Sequence, residues 1–303
     1  MDMQLVTDGL EFPEGPIAMA DGSVILTEIK SGVLTRVTPD GQKTVFAKTG
    51  GGPNGAAVGP DGAIYVANNG CSFEWLDMEG LTIPGPTPTS HTGGYIQRVD
   101  GKTGEVTTLY DSCDGRKLIG PNDLVFDKTG GFWFTDHGCS TPEGRKFGAL
   151  YYARPDGSKI VRARDHFVSP NGVGLSPDET VVYMADTNLG RLWAFDLTAP
   201  GEMPPQEGFV PGRVICNLQG LQLLDSLAVE ADGKVCVATI LNGGITAFDP
   251  DGSIEHFAFP DMVTTNICFG GDDMRDAWIT CSSTGKLFKC RWPRPGLRLN
   301  FNA

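Results

Sequence analysis

The chain has 303 residues and a formal net charge of −13, from 37 acidic and 24 basic side chains. That balance argues against nucleic acid, whose phosphates need clustered Lys and Arg, and favours a cation as partner. With Gly at 41 and Pro at 21, the composition suits many short strands joined by tight turns, and no apolar run is long enough to span a membrane.

The first residues, Met1-Asp2-Met3-Gln4, lack a basic region followed by an apolar one, so a cytoplasmic protein is expected. The eight cysteines show no C-x-x-C pair, and Cys236 and Cys268 sit in apolar, strand-like runs. They read as reduced thiols.

One unit recurs along the chain: a polar start, a short apolar run, a D-G-like turn and a second apolar strand. Its six instances turn at Asp21-Gly22, Asp61-Gly62, Thr129-Gly130, Asp178-Glu179, Asp232-Gly233 and Asp273-Met274. Each is followed by a second hairpin, such as Val33–Val37 with Thr44–Ala47, or Ile245–Phe248 with Ile254–Phe257. Four antiparallel strands make a propeller blade, and six blades of about 50 residues fill the chain. The predicted fold is therefore all-β, a six-bladed β-propeller in a single domain over 1–303. Gln4-Leu5-Val6 is expected to supply the outer strand of the last blade, with Leu297–Asn300 as the competitor for that place.

Aligning the six turns brings a second register into view. Seven residues before them stand Glu14, Asn54, Asn122, Asn171, Asp225 and Asn266, each a carboxylate or a carboxamide. The first strand of each blade lines the propeller axis, so these six form a ring of oxygens suited to a hard divalent cation. Calcium leads, with magnesium and manganese next; the absence of His and Cys counts against structural zinc. Pro-Asn-Gly at 53–55 and 170–172 also reads as ordinary turn chemistry, but Glu14 is no turn former. Asn54 and Asn266 are expected to shape the pocket.

Through Glu14-Gly15-Pro16, Gly120-Pro121-Asn122-Asp123, Ser169-Pro170-Asn171-Gly172, Asp225-Ser226-Leu227 and the D-G turns, the whole chain resembles the SMP-30/gluconolactonase/LRE-like family. The resemblance implies one divalent metal ion held by Glu14, Asn171 and Asp225, with Asn122 completing the set or orienting substrate and Asp225 as general base. Zinc and iron join the metals to be considered. Sugar-acid lactonases of the family carry an Arg two positions before the residue matching Asn122, where this chain has Gly120.

Two long loops are expected over the ring. Asn69–Thr92 carries Phe73 and Trp75, which either wall a bulky or aromatic substrate or pack the loop down; His137–Phe147 begins with His137, which either donates to a substrate oxygen, shuttles a proton or satisfies a local hydrogen bond. The expected activity is metal-dependent opening of a small-molecule lactone, bulky or aromatic rather than a simple sugar acid. The alternatives are a gluconolactonase-type sugar lactone hydrolase and a non-catalytic scaffold around a structural ion.

Overall fold

The computed structural model describes residues 1–301. Among them there is no helix, hence none long and apolar enough to cross a membrane. Six four-stranded antiparallel sheets follow one another as blades. Their innermost strands are Pro13–Ala18, Pro53–Val58, Pro121–Phe126, Pro170–Leu175, Leu223–Val229 and Thr264–Gly270. Each lies against the innermost strand of the next blade, and the sixth returns to the first. The outer strand of blade 6 is Met3–Thr7, antiparallel to Lys286–Arg291 with Met3 opposite Cys290 and Leu5 opposite Phe288.

The second strands carry the core. Val24–Glu28, Ile64–Asn68 and Phe132–Asp136 are buried along their whole length, because blades cover them on both faces. Each large apolar side chain removed from water there, such as Phe132 or Phe134, contributes about 1.5–3 kcal/mol. All eight cysteines are free.

The turns explain the imperfect D-G repeat. Asp21, Asp61, Asp178, Asp232 and Asp273 each accept from the backbone N–H two residues on. In blade 3, Asp127 does this for Thr129 at 2.8 Å. The residue after each aligned position is left-handed, which Gly adopts freely; Glu179 and Met274 take it with φ of 57° and 56°.

Leu297–Asn300 forms no strand. Pro293 and Pro295 cannot extend a ladder, and the tail crosses the face opposite the ring. Leu297 donates to Val229 O at 2.8 Å, Asn300 to Glu179 at 2.6 Å, and Phe301 meets Phe126 edge-on. It closes a mainly apolar axial channel, leaving a cavity of about 100 Å³ below the ring. The clamp is Glu230, fully buried, which accepts from Trp292 Nε1 at 2.7 Å, from the Arg294 guanidinium and from the Cys236 thiol. Arg294→Met leaves that carboxylate without its cation. The expected loss is about 3 kcal/mol, read as a lowered midpoint in urea, at the bottom of the range for broken buried pairs because Arg294 is a quarter exposed.

Candidate metal centre

Every innermost strand carries a bulge beside its ring residue. In blade 3, Asn122 and Asp123 together stand between the pairs Pro121–Asp136 and Leu124–Phe134, opposite the single residue Thr135. Asn54 and Gly55, Asn171 and Gly172, and Asp225 and Ser226 repeat this two-against-one arrangement. A bulge bends the strand and re-aims a side chain, here at the end of each strand where the blades meet. In three blades a glycine after the ring position permits the approach: a methyl on Gly15, whose φ is +48°, would lie 2.5 Å from Asn54 O, and one on Gly172 2.6 Å from Leu227 N.

All six ring residues are buried, from 2% exposed at Glu14 to 9% at Asp225. Glu14 Oε2 accepts from Gly15 N at 2.5 Å and from Asn266 Nδ2 at 2.6 Å, so Asn266 positions Glu14. Asn171 donates to Thr187 Oγ1 at 3.1 Å and accepts from Ser226 Oγ at 3.4 Å; its amide also favours the charged form of Asp225. Asn54 offers its main-chain oxygen to Thr27 Oγ1 at 2.6 Å, which ties blade 1 to blade 2 beneath the ring.

Asp123 is a third buried carboxylate that the ring register does not include. It accepts from Leu124 N at 2.8 Å and Val173 N at 3.3 Å. Only its place in the Pro-Asn-Asp stretch, where the other blades have Gly, Ser or, in blade 6, Ile267, distinguishes it in sequence. Burial pushes Asp123 up to about 7. Asp225 also rises to about 7, through burial first and the Asp123 charge, against the opposing Asn171 hydrogen bond. Glu14 is raised well above the usual carboxylate range by burial and then by Asp225. Every charged group acting on these three is another carboxylate.

Two ring oxygens, Glu14 Oε1 and Asn122 Oδ1, are buried with no hydrogen-bond donor. Orphaned acceptors cost about 1–3 kcal/mol each, more when charged, and crowded carboxylates add repulsion. A divalent cation relieves both, so the donor set fits one. Among the described residues no three His, Cys, Asp or Glu side chains form a metal-binding group. The candidate centre is therefore mixed, with two carboxylates, Glu14 and Asp225, and two carboxamides, Asn122 and Asn171.

The long loops meet over this face. Each carries its own hairpin, Trp75–Met78 with Leu81–Pro84 and Cys139–Thr141 with Gly144–Lys146. Thr82 N donates to Ser283 O of blade 6 at 2.9 Å, and Thr87 N to Ser140 O of the other loop at 3.2 Å. Trp75 lies 5.0 Å from Phe12 and 6.1 Å from Phe73, in a cluster with Ile29, Val263 and Ile240. Both aromatics pack the loop down while remaining partly exposed. His137 Nδ1 lies 3.2 Å from Pro170 O, which can only accept, so that nitrogen carries the proton. Burial, then Arg145, holds the imidazole neutral by pushing it down to about 3. Nε2 is left as an acceptor, suited to a hydroxyl rather than to an ester oxygen.

A family model described as SMP-30/Gluconolactonase/LRE-like region matches residues 12–283. The chain is 26% identical over 295 residues to a gluconolactonase of Zymomonas mobilis, covering 88% of this chain and 76% of that protein. To lactonase drp35 of Staphylococcus saprophyticus it is 28% identical over 255 residues, covering 83% and 70% respectively. The solved structure of a gluconolactonase from Xanthomonas campestris superposes with a TM-score of 0.75 at 23% identity, covering 96% of this chain and 89% of that one, a likeness of fold.

Proposed function

The chain belongs to the SMP-30/gluconolactonase/LRE-like family, and on that premise we propose that it is a single-domain hydrolase that opens a small-molecule lactone at the hub ring. The reading rests on the two orphaned oxygens of Glu14 and Asn122, in a ring whose two carboxylates have a third, Asp123, buried beside them. Glu14, Asn122, Asn171 and Asp225 would hold one divalent cation, calcium before manganese, magnesium, zinc or iron, and when bound it supplies Lewis-acid polarisation of the ester carbonyl.

The protein's own groups do the rest. Asp225, whose ionised form the Asn171 amide and the Ser226 N–H favour against burial, takes a proton from the attacking water and returns it to the ring oxygen as the ester C–O bond breaks. The Asn122 amide N–H fixes a substrate oxygen. Asn266 keeps Glu14 aimed at the axis. Opening a lactone releases no second fragment, so the loops carrying Phe73, Trp75 and His137 can stay over the product without trapping a leaving group. Eight thiols outside any disulfide support a reducing compartment.

The substrate reading favours a bulky or aryl-bearing lactone, because position 120 is Gly and Trp75 is partly exposed beside the mouth. A gluconolactone-type substrate is the competing reading, favoured by the Zymomonas relative. Initial rates with gluconolactone and with aryl-substituted lactones, before and after chelation, separate them. Trp75→Ala is expected to raise KM for the aryl lactone up to about tenfold, the size of one lost aromatic contact, and to leave gluconolactone unchanged. Equal effects on both would remove the aromatic wall from the reading. No activity on either, with thermal stability still dependent on the cation, would leave the hub ion a structural one.

A further inference from the structure

On the ring's side of blade 3, away from the hub, lies an open groove of about 280 Å³. Its walls are the small hairpin Ser112–Cys113 with Arg116–Lys117, the end of the hairpin Gly144–Lys146, and the outer strand Ile160–Phe167. Four cations line it, Arg116, Lys117, Lys146 and Arg162, against two carboxylates, Asp136 and Asp165. We propose that this groove is a second ligand site, one that binds a small molecule through a phosphate or carboxylate group.

The chain as a whole is at −13, yet here Arg116, Lys117 and Lys146 form none of the ion pairs among the described residues. The carboxylates do not answer them. Asp136 is buried and occupied by the N–H groups of Ile119, Gly120 and Gly138 at 2.7, 2.8 and 2.9 Å. Asp165 is taken by Arg162 at 3.0 Å and by His166 N at 2.8 Å. Unanswered like charges repel, and an anion is what relieves them.

The groove is also preorganised. Arg162 is only 19% exposed at its side chain. It donates through Nε to Tyr151 Oη at 3.1 Å and through Nη1 to Asp165, with its guanidinium 5.5 Å from the Tyr151 ring centroid. Nη2 has no protein partner among these bonds, on a fork whose rotamer is already set. The outer strand is bulged twice, and the second bulge leaves His166 unpaired between Asp165 opposite Ala149 and Phe167 opposite Gly148. His166 has φ of 66°, a conformation that a non-glycine residue holds at some cost, and its imidazole stands on the groove 6.5 Å from exposed Phe147. Cations thus share the groove with an exposed aromatic ring, which suits an acidic group on an apolar or aromatic body.

The test is calorimetric titration of the intact protein at low ionic strength with inorganic phosphate and with benzoate. Saturable binding of at least one is expected, weakened at least tenfold in Arg162→Met and about threefold in Lys117→Ala or Lys146→Ala. Lys102→Ala, on an exposed turn of the opposite face, should bind as the parent does. Phosphate alone, or benzoate alone, identifies the group recognised. Because Arg162→Met removes a packed side chain, the double variant Lys117→Glu/Lys146→Glu serves beside it and should abolish binding with an unchanged melting temperature. The proposal fails if neither probe saturates, or if that double variant binds as tightly as Lys102→Ala.

Discussion

Asp225→Asn is expected to lower kcat for lactone opening by about 10²–10⁴-fold, the range associated with losing a positioned general base. The substitution keeps the shape and one oxygen of the side chain while removing its charge. It should therefore leave KM nearly unchanged at saturating cation, and weaken the cation's binding. Stability should move the other way. Asp225 is a buried carboxylate pressed by Asp123 and Glu14, so a neutral amide relieves repulsion, and the variant's melting temperature without cation should equal or exceed the parent's. Asn54→Ala, at an equivalent ring position with no acid or base to lose, should cost less than tenfold in kcat. If Asp225→Asn kept kcat within about threefold of the parent, the proton would have to go elsewhere.

The repeat that positions these residues was legible because a propeller imposes it locally. A turn needs a left-handed residue and an acceptor before it, so D-G pairs mark the far end of each innermost strand, and counting back seven reaches the axis. The same reasoning stops at the bulges. Whether two residues oppose one depends on how closely neighbouring inner strands approach, as Gly15 does to Asn54, and a single sequence holds no signal for that distance. Asp123 was hidden for this reason: it stands one residue past the register position, at the level where three other blades keep Gly, and only the bulge buries its carboxylate beside the ring. The Leu-Arg-Leu-Asn run at 297–300 alternates as an edge strand would, but Met3–Thr7 occupies that edge and the tail lies under the channel instead. His166 stands in no motif of the sequence, and only the second bulge of its strand leaves it unpaired on the groove. These are through-space competitions between segments far apart in the chain.

Stripped of divalent cations by a chelator, the protein is expected to lose thermal stability as pH rises from about 4 to about 7. Asp123 and Asp225 are both raised to about 7 by burial, and Glu14 is raised with them. Their unfolded values lie near 4, so between these limits the folded chain holds more protons than the unfolded one. Stability that is fully present below about pH 4 is then lost up to about pH 7, by an amount on the order of 4 kcal/mol for a three-unit shift. A divalent cation reverses the sign. It pairs with the ionised carboxylates and competes with their protons, so the stabilisation it gives grows with pH at fixed concentration. The measurement is the melting temperature with and without excess calcium at pH 5 and at pH 7.5, with a gap expected to be several degrees wider at the higher pH. Glu14→Gln removes one charge from the ring and should narrow that gap at pH 7.5, whereas Lys102→Ala should not. A calcium effect equal at both pH values would mean that the ion sits away from these carboxylates, and no effect at either would leave Glu14 Oε1 and Asn122 Oδ1 to be satisfied by water, as acceptors in a ring that binds no metal.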